Sequence, residues 1–170
     1  MARIGLDYLI PAIAAGAGAT AVMDSWNLLV KLALGIPSLD HCLLGRWVCH
    51  MRHGTVRHVS IAAAAPKPLE CILGRIAHYT IGIVLGVVFV ALMRGGWLVN
   101  PTVLPPVIFG IVTVALPFFI MQPSLGLGVA SSKTRNPVQA RLKSLMSHTA
   151  FGFGLYLCAM AIAAVRGLHG

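Results

Sequence analysis

Acidic residues are nearly missing. Asp7, Asp24, Asp40 and Glu70 are the four in 170 residues, and charged residues of either sign make up only 10% of the chain. A soluble domain wets its surface with roughly a quarter of its residues charged, so an ordinary cytosolic enzyme is excluded. Disorder is excluded as well, because it needs low hydrophobicity, and this chain is 58% apolar with a mean hydropathy of +0.86. The cations, though they give a net charge of +9, form no single basic patch, which argues against a nucleic-acid partner. No Cys-x-x-Cys pair occurs, no Walker loop ending in Gly-Lys-Ser/Thr, and no Gly-x-Ser-x-Gly elbow. Ser147 precedes His148, but neighbours on a helix diverge by about 100°, so the two cannot act as a nucleophile and its base. Whether the protein is an enzyme stays open at this level.

What the chain does contain is long charge-free runs. None of the charged types occurs between Arg75 and Arg94, between Arg94 and Lys133, or between Lys143 and Arg166. A spanning helix takes about 20 mostly apolar residues. The expected architecture is an all-α integral membrane protein, a single domain over 1–170, with four transmembrane helices in a bundle. The spans are expected at 9–32, 72–93, 103–122 and 145–165. The first carries Asp24 and Lys31 within it. Small residues near Ala12 and Ala17 also suit a signal-peptide cleavage site, but Arg3 is a thin positive leader and Asp7 offsets it.

Loop cations set the sidedness. The loop after the first span and its edges carry Lys31, Arg46, Arg52, Arg57, Lys67 and Arg75, and the loop after the third carries Lys133, Arg135, Arg141 and Lys143, ten in all against Arg3, Arg94 and Arg166 on the other side. The positive-inside rule then puts both long loops in the cytoplasm and both termini outside. The expected location is a bacterial inner membrane, with the lipid bilayer as the surrounding partner.

Helices in lipid associate where small residues let backbones approach. Ala12, Gly16, Thr20 and Asp24 share one face of the first span. Gly74, His78, Gly82 and Gly86 share one of the second, and His148, Gly152 and Tyr156 one of the fourth. These faces should point inward, and they also allow a homo-oligomer. Pro117 removes a hydrogen bond to the Thr113 carbonyl and should kink the third span.

An interfacial helix is expected over 38–52, with Ser38 as N-cap and Asp40 in its first turn. Leu39, Leu43, Leu44, Trp47, Val48 and Met51 form its apolar half. Cys42, Arg46, Cys49, Arg52 and His53 form its polar half, as on a helix lying in the headgroup plane. Arg46 and His50, one turn apart, are candidate contacts to a lipid headgroup or phosphate. Lys133, Arg135 and Arg141 are further candidates, in a Gly- and Ser-rich segment that also reads as a solvated turn. An irregular connector should cover Gly54 to Glu70. His50, His53 and His58 with Cys42 and Cys49 match no standard zinc spacing, and a surface role is expected for them. Cys42, Cys49 and Cys71, read as cytoplasmic, are expected to be reduced.

Ionisable groups inside spans are costly and need a reason. Asp24, His78, Gln122 and His148 all fall in the cytoplasmic half of their spans, with Arg75 one turn below His78. They form the candidate intramembrane polar site. The leading reading is a binding or structural bundle in which these groups hydrogen-bond between helices. A proton-coupled small-solute transporter or channel is the alternative. A haem- or metal-binding redox protein is a further one, with Asp24, His78 and His148 as the ligands. No cofactor and no small-molecule ligand is specified by these residues.

Several strings together resemble one bacterial family. They are Gly18 to Asp24 (GATAVMD), Pro37 to Asp40 (PSLD), Gly45 to Trp47 (GRW), Arg57-His58, Gly74 to Gly82 (GRIAHYTIG), Met121 to Gly128 (MQPSLGLG), Asn136-Pro137 and Ser147 to Gly154 (SHTAFGFG). The chain is similar over about residues 8–160 to the domain-of-unknown-function family 2938. The resemblance implies a small multi-pass inner-membrane protein of bacterial origin and assigns no catalytic residue.

Overall fold

A computed structural model describes residues 6–37 and 40–167, and the described residues are helical with no strand. The main elements are α1 (Leu6–Leu34), α2 (His41–Met51), α3 (Glu70–Leu92), α4 (Leu104–Thr113) and α5 (Pro137–Gly167). Beyond α4 the chain continues through a π-helical turn, Pro117–Met121, into a short α-turn, Gln122–Ser124.

Among the described residues, three helices are long and apolar enough to cross a membrane. They are Glu70–Leu92, Leu104–Ser124 and Pro137–Gly167, with mean hydropathies of 1.9, 2.2 and 1.6. By length and composition the count is thus three, and the first of the four expected spans is not among them. The stretch expected as the first span does fold as one helix, α1. Its apolar residues include seven alanines and two glycines, however, and Asp7, Asp24, Ser25, Asn27 and Lys31 interrupt it. Helix α5 runs longer than the expected 145–165. Pro137 suits a first helical position because its missing N–H has no intrahelical acceptor there. Asn136 caps it, its Oδ1 accepting from the Gln139 amide at 3.2 Å.

The chain divides into two compact units. The first holds α1 with its continuation to Ile36, Tyr79–Val112, and the chain from Ser147. Its core is Ala12, Ala15, Ala19, Phe89, Val90, Trp97, Leu98, Phe151, Leu155 and Ala159. The small-residue faces meet within it. A Cβ on Gly16 would lie 2.7 Å from the Gly82 carbonyl oxygen, and one on Gly86 2.6 Å from the Gly16 Cα. A Cβ on Gly154 would lie 2.8 Å from the Ala19 Cα, and one on Gly152 2.8 Å from the Val107 Cα. Thr20 is buried beside Gly82, and its hydroxyl donates back to the Gly16 carbonyl at 2.8 Å, so no hydroxyl is left unpaired at this crossing. Pro11 has no N–H to offer the Asp7 carbonyl four residues back. The Arg166 Nη2 donates to that carbonyl instead, at 2.7 Å, tying the last turn of α5 to the first of α1.

The second unit is Pro37–His78 with Thr113–Met146. Here α2 lies antiparallel to the first turns of α3. His41 stacks edge-on against His78 with ring centroids 4.8 Å apart, Cys42 is bonded to Cys71, and Arg46 pairs with Glu70. The helices can come this close because glycines face each other. A Cβ on Gly45 would collide with the Glu70 carbonyl oxygen and sit 2.6 Å from the Gly74 nitrogen.

Three local expectations are revised here. The N-cap of α2 is Asp40, whose Oδ1 accepts from the Cys42 amide at 2.8 Å. Ser38 and Leu39 lie outside the described residues. The side of α2 bearing Cys42 and Arg46 presses on α3 rather than facing water, because Gly45 sits between them and admits the α3 backbone. Finally, Cys42 and Cys71 form a disulfide instead of remaining reduced. Their separation of 29 residues gives no spacing signature, and only the antiparallel register brings them together. Cys49 is free.

Candidate functional site

The site is built by two prolines six residues apart. Pro117 and Pro123 lack the N–H groups that would bond Thr113 and Phe119 in an α-helix. The helix breaks after Thr113 and rewinds as a π-turn in which the Gln122 amide reaches back to the Pro117 carbonyl. The next turn repeats the wide spacing, with the Leu127 amide donating to the Gln122 carbonyl at 2.9 Å. The break foreseen from Pro117 is thus a change of helical pitch. Such π-turns inside α-helices are frequent at functional sites.

Gln122 stands at the end of that turn and is 5% exposed. Its Nε2 donates to the Ser144 hydroxyl at 3.4 Å, while its Oε1 is buried with no hydrogen-bond partner. Ser124, also buried, turns its hydroxyl back to the Ile120 carbonyl at 2.7 Å and so does not serve Gln122. An unpaired buried acceptor costs about 1–3 kcal/mol, a cost that a bound donor would remove. The neutral amide is chemically suited to hold an O–H or N–H group, and it supplies neither a nucleophile nor a proton acceptor of useful basicity.

Hydrogen bonds tie the surrounding frame together. The chain from His58 to Ile61 lies along the turn after Ser124: the His58 amide donates to the Ser124 carbonyl at 2.9 Å and the Ile61 amide to the Leu125 carbonyl at 3.0 Å. Gly126 makes room for it. At φ +88° this residue takes a conformation that side chains disfavour, and a Cβ there would strike the Val59 carbonyl. Arg46 holds the connector from the other end. Its Nε and Nη2 form a two-point bond to the Glu70 carboxylate at 2.9 and 2.7 Å, and its Nη1 reaches the carbonyls of Ile61, Ala62 and Ala64 at 3.1–3.3 Å. The Glu70 carboxylate raises the Arg46 pKa above its ordinary value through that hydrogen bond, so the pair stays ionised.

The remaining sequence candidates fall in different places. In the second unit, Arg75 is exposed on α3 and His78 is half-buried against His41. Arg46, named for a headgroup or phosphate, has its donors turned to Glu70 and three carbonyls. The His50 Nε2 bonds the Ala65 carbonyl at 3.1 Å. Lys133 and Arg135 are exposed, as is Arg141, whose Nε donates to the Ala130 carbonyl at 2.8 Å. In the first unit, Asp24 is half-buried on α1 and His148 half-buried on α5, its carbonyl pressed against Gly110. One polar link there escaped the sequence reading. The Ser147 hydroxyl donates to the Asn27 Oδ1 at 2.6 Å, joining α1 to α5. Asn27 follows Asp24 by three residues, and that spacing on one helix face was the available signal.

The described residues are all-helical, with three helices apolar enough to cross a bilayer. The chain belongs to the family described as protein of unknown function DUF2938, whose model matches residues 13–162. No curated protein and no solved structure matches it. Membership covers most of the chain and brings no activity with it.

Proposed function

We propose that the chain is a four-span bacterial inner-membrane protein that binds a small hydrogen-bond-donating solute at Gln122. The observation that carries the binding reading is the orphaned Gln122 Oε1. A buried acceptor with no partner, at the end of a π-turn in the most apolar of the candidate spans, is a feature that costs stability and that a guest donor satisfies.

The fourth span is α1. Its backbone touches that of α3 at Gly16 and Gly82, and that of α5 at Ala19 and Gly154. A helix in backbone contact with two apolar helices shares their depth. Its outer face carries exposed Ile10, Ile13, Leu28, Leu29 and Leu32, which suits lipid. Four spans and the ten-to-three cation imbalance support long loops in the cytoplasm and both termini outside.

Native mass spectrometry of the protein released from mild detergent, and again from lipid nanodiscs, tests the binding reading. The wild type should carry a small adduct at one per chain, and Gln122→Leu should lose it. An adduct-free wild type in both media, or equal adducts on both proteins, would overturn the reading.

A further inference from the structure

The other buried side-chain nitrogen or oxygen atoms without a partner, among the described residues, are both ring nitrogens of His58. An imidazole always carries at least one N–H and, when neutral, one lone pair as well. Leaving both nitrogens buried and unserved wastes two hydrogen bonds, and such groups in native structures mark a bound water, an ion or a function.

His50 faces this ring. The two centroids are 5.0 Å apart and the planes are nearly perpendicular, at 87°. The tautomer of His50 follows from its hydrogen bond to Ala65. A carbonyl oxygen only accepts, so the Nε2 that meets Ala65 must carry the proton, and in the neutral ring Nδ1 holds the lone pair. A histidine that ligates a metal is commonly oriented in this way, donating its far N–H to a backbone carbonyl. Two imidazoles bound to one tetrahedral ion through bonds of about 2.0–2.1 Å hold their ring centres about 5 Å apart.

The backbone around both rings is fixed in advance. The Thr55 amide donates to the His50 carbonyl at 3.1 Å, the Trp47 Nε1 to the Val56 carbonyl at 2.8 Å, and the His58 amide to the Ser124 carbonyl at 2.9 Å. Arg46, the nearest cation on α2 one turn from His50, is neutralised by Glu70 and does not repel a positive guest.

We propose that His50 and His58 form a site for one first-row transition-metal ion of the zinc type, with water completing its coordination. The proposal stands apart from the solute reading at Gln122 and uses other residues. Imidazole pairs favour zinc, copper and nickel over calcium or magnesium.

The test uses the full-length protein in detergent, without a histidine tag, stripped with a chelator and titrated with Zn2+. Bound zinc is counted by elemental mass spectrometry after gel filtration, and heat unfolding is followed with and without the ion. Wild type and His53→Ala, which alters an exposed histidine of the same segment, should each bind one more equivalent than His58→Ala or His50→Ala. Zinc should raise the melting temperature of the first two only. Should His58→Ala fail to fold, His50→Ala decides alone, since its half-buried ring makes one side-chain hydrogen bond, to the Ala65 carbonyl. Equal stoichiometry in wild type and His50→Ala, or an equal loss in His53→Ala, would mean adventitious surface binding and overturn the proposal. Calcium titrated in place of zinc should leave every melting temperature unchanged, and a calcium shift that depends on His50 would also contradict it.

Discussion

Replacing Gly16 by alanine should loosen the first unit where α1 crosses α3. The added Cβ would lie 2.7 Å from the Gly82 carbonyl oxygen, 2.8 Å from the Ile83 Cα and 3.1 Å from the Ile83 carbonyl oxygen. All three are backbone atoms, so no side chain can rotate away, and α1 and α3 must separate by about 0.7 Å to restore ordinary contact at 3.4 Å. Overpacking of this kind costs about 1–3 kcal/mol, and with backbone on every side the upper end applies. Alanine returns about 1 kcal/mol of helix propensity. The net loss is then about 2 kcal/mol, or about 4–8 °C of melting temperature for a chain of this size. Gly167→Ala is the control, because nothing lies within 4 Å of a Cβ there. Melting of both variants and the wild type in the same detergent, followed by helical circular dichroism, gives the comparison. A Gly16→Ala protein as stable as Gly167→Ala would refute the reasoning, because the two helices would then not touch through this glycine.

Four other outcomes are expected. Gln122→Leu removes the orphaned acceptor and should melt at or above the wild type by up to about 3 kcal/mol in solute-free protein; a clear loss in the same melt would make Gln122 a structural residue. Reduction of Cys42–Cys71, or Cys71→Ser, releases a 29-residue loop and should cost about 3–4 kcal/mol by the loop-entropy relation, read from the same melts. Arg46→Ala unties the connector from α2 and α3 and should open residues 52–69 to limited proteolysis, with cleavage mapped by mass spectrometry and little change elsewhere. Cys42 and Cys71 should be found bridged when the thiols of intact cells are alkylated before lysis; two free thiols at that stage would contradict the bridge.

The packing of the first unit was legible in the sequence because it depends on one helix at a time. Ala12, Gly16 and Thr20 recur every four residues, as do Gly82 and Gly86, and a face read from that period is the face that makes contact. Gln122 was legible as a polar residue ending an apolar run. Its unpaired oxygen was not, since that depends on where Ser124 and Ser144 turn their hydroxyls. The Cys42–Cys71 bridge was illegible for a related reason: it follows from the antiparallel register of α2 and α3, which no single-helix pattern encodes. The amphipathic wheel of α2 misled, because Gly45 counts as neither polar nor apolar yet decides which side meets α3. His58, expected on the surface, has both ring nitrogens buried, in a connector whose path is set by Gly126 and Arg46.

The proposed four-span architecture rests on α1, so the sidedness of the two chain ends tests it most directly. Fusing alkaline phosphatase, active only outside, and a fluorescent protein, bright only inside, to each end in turn in a bacterial host reads both positions. The account predicts active phosphatase and no fluorescence at both ends. Ends on opposite sides would leave three spans, place α1 outside the bilayer and contradict it.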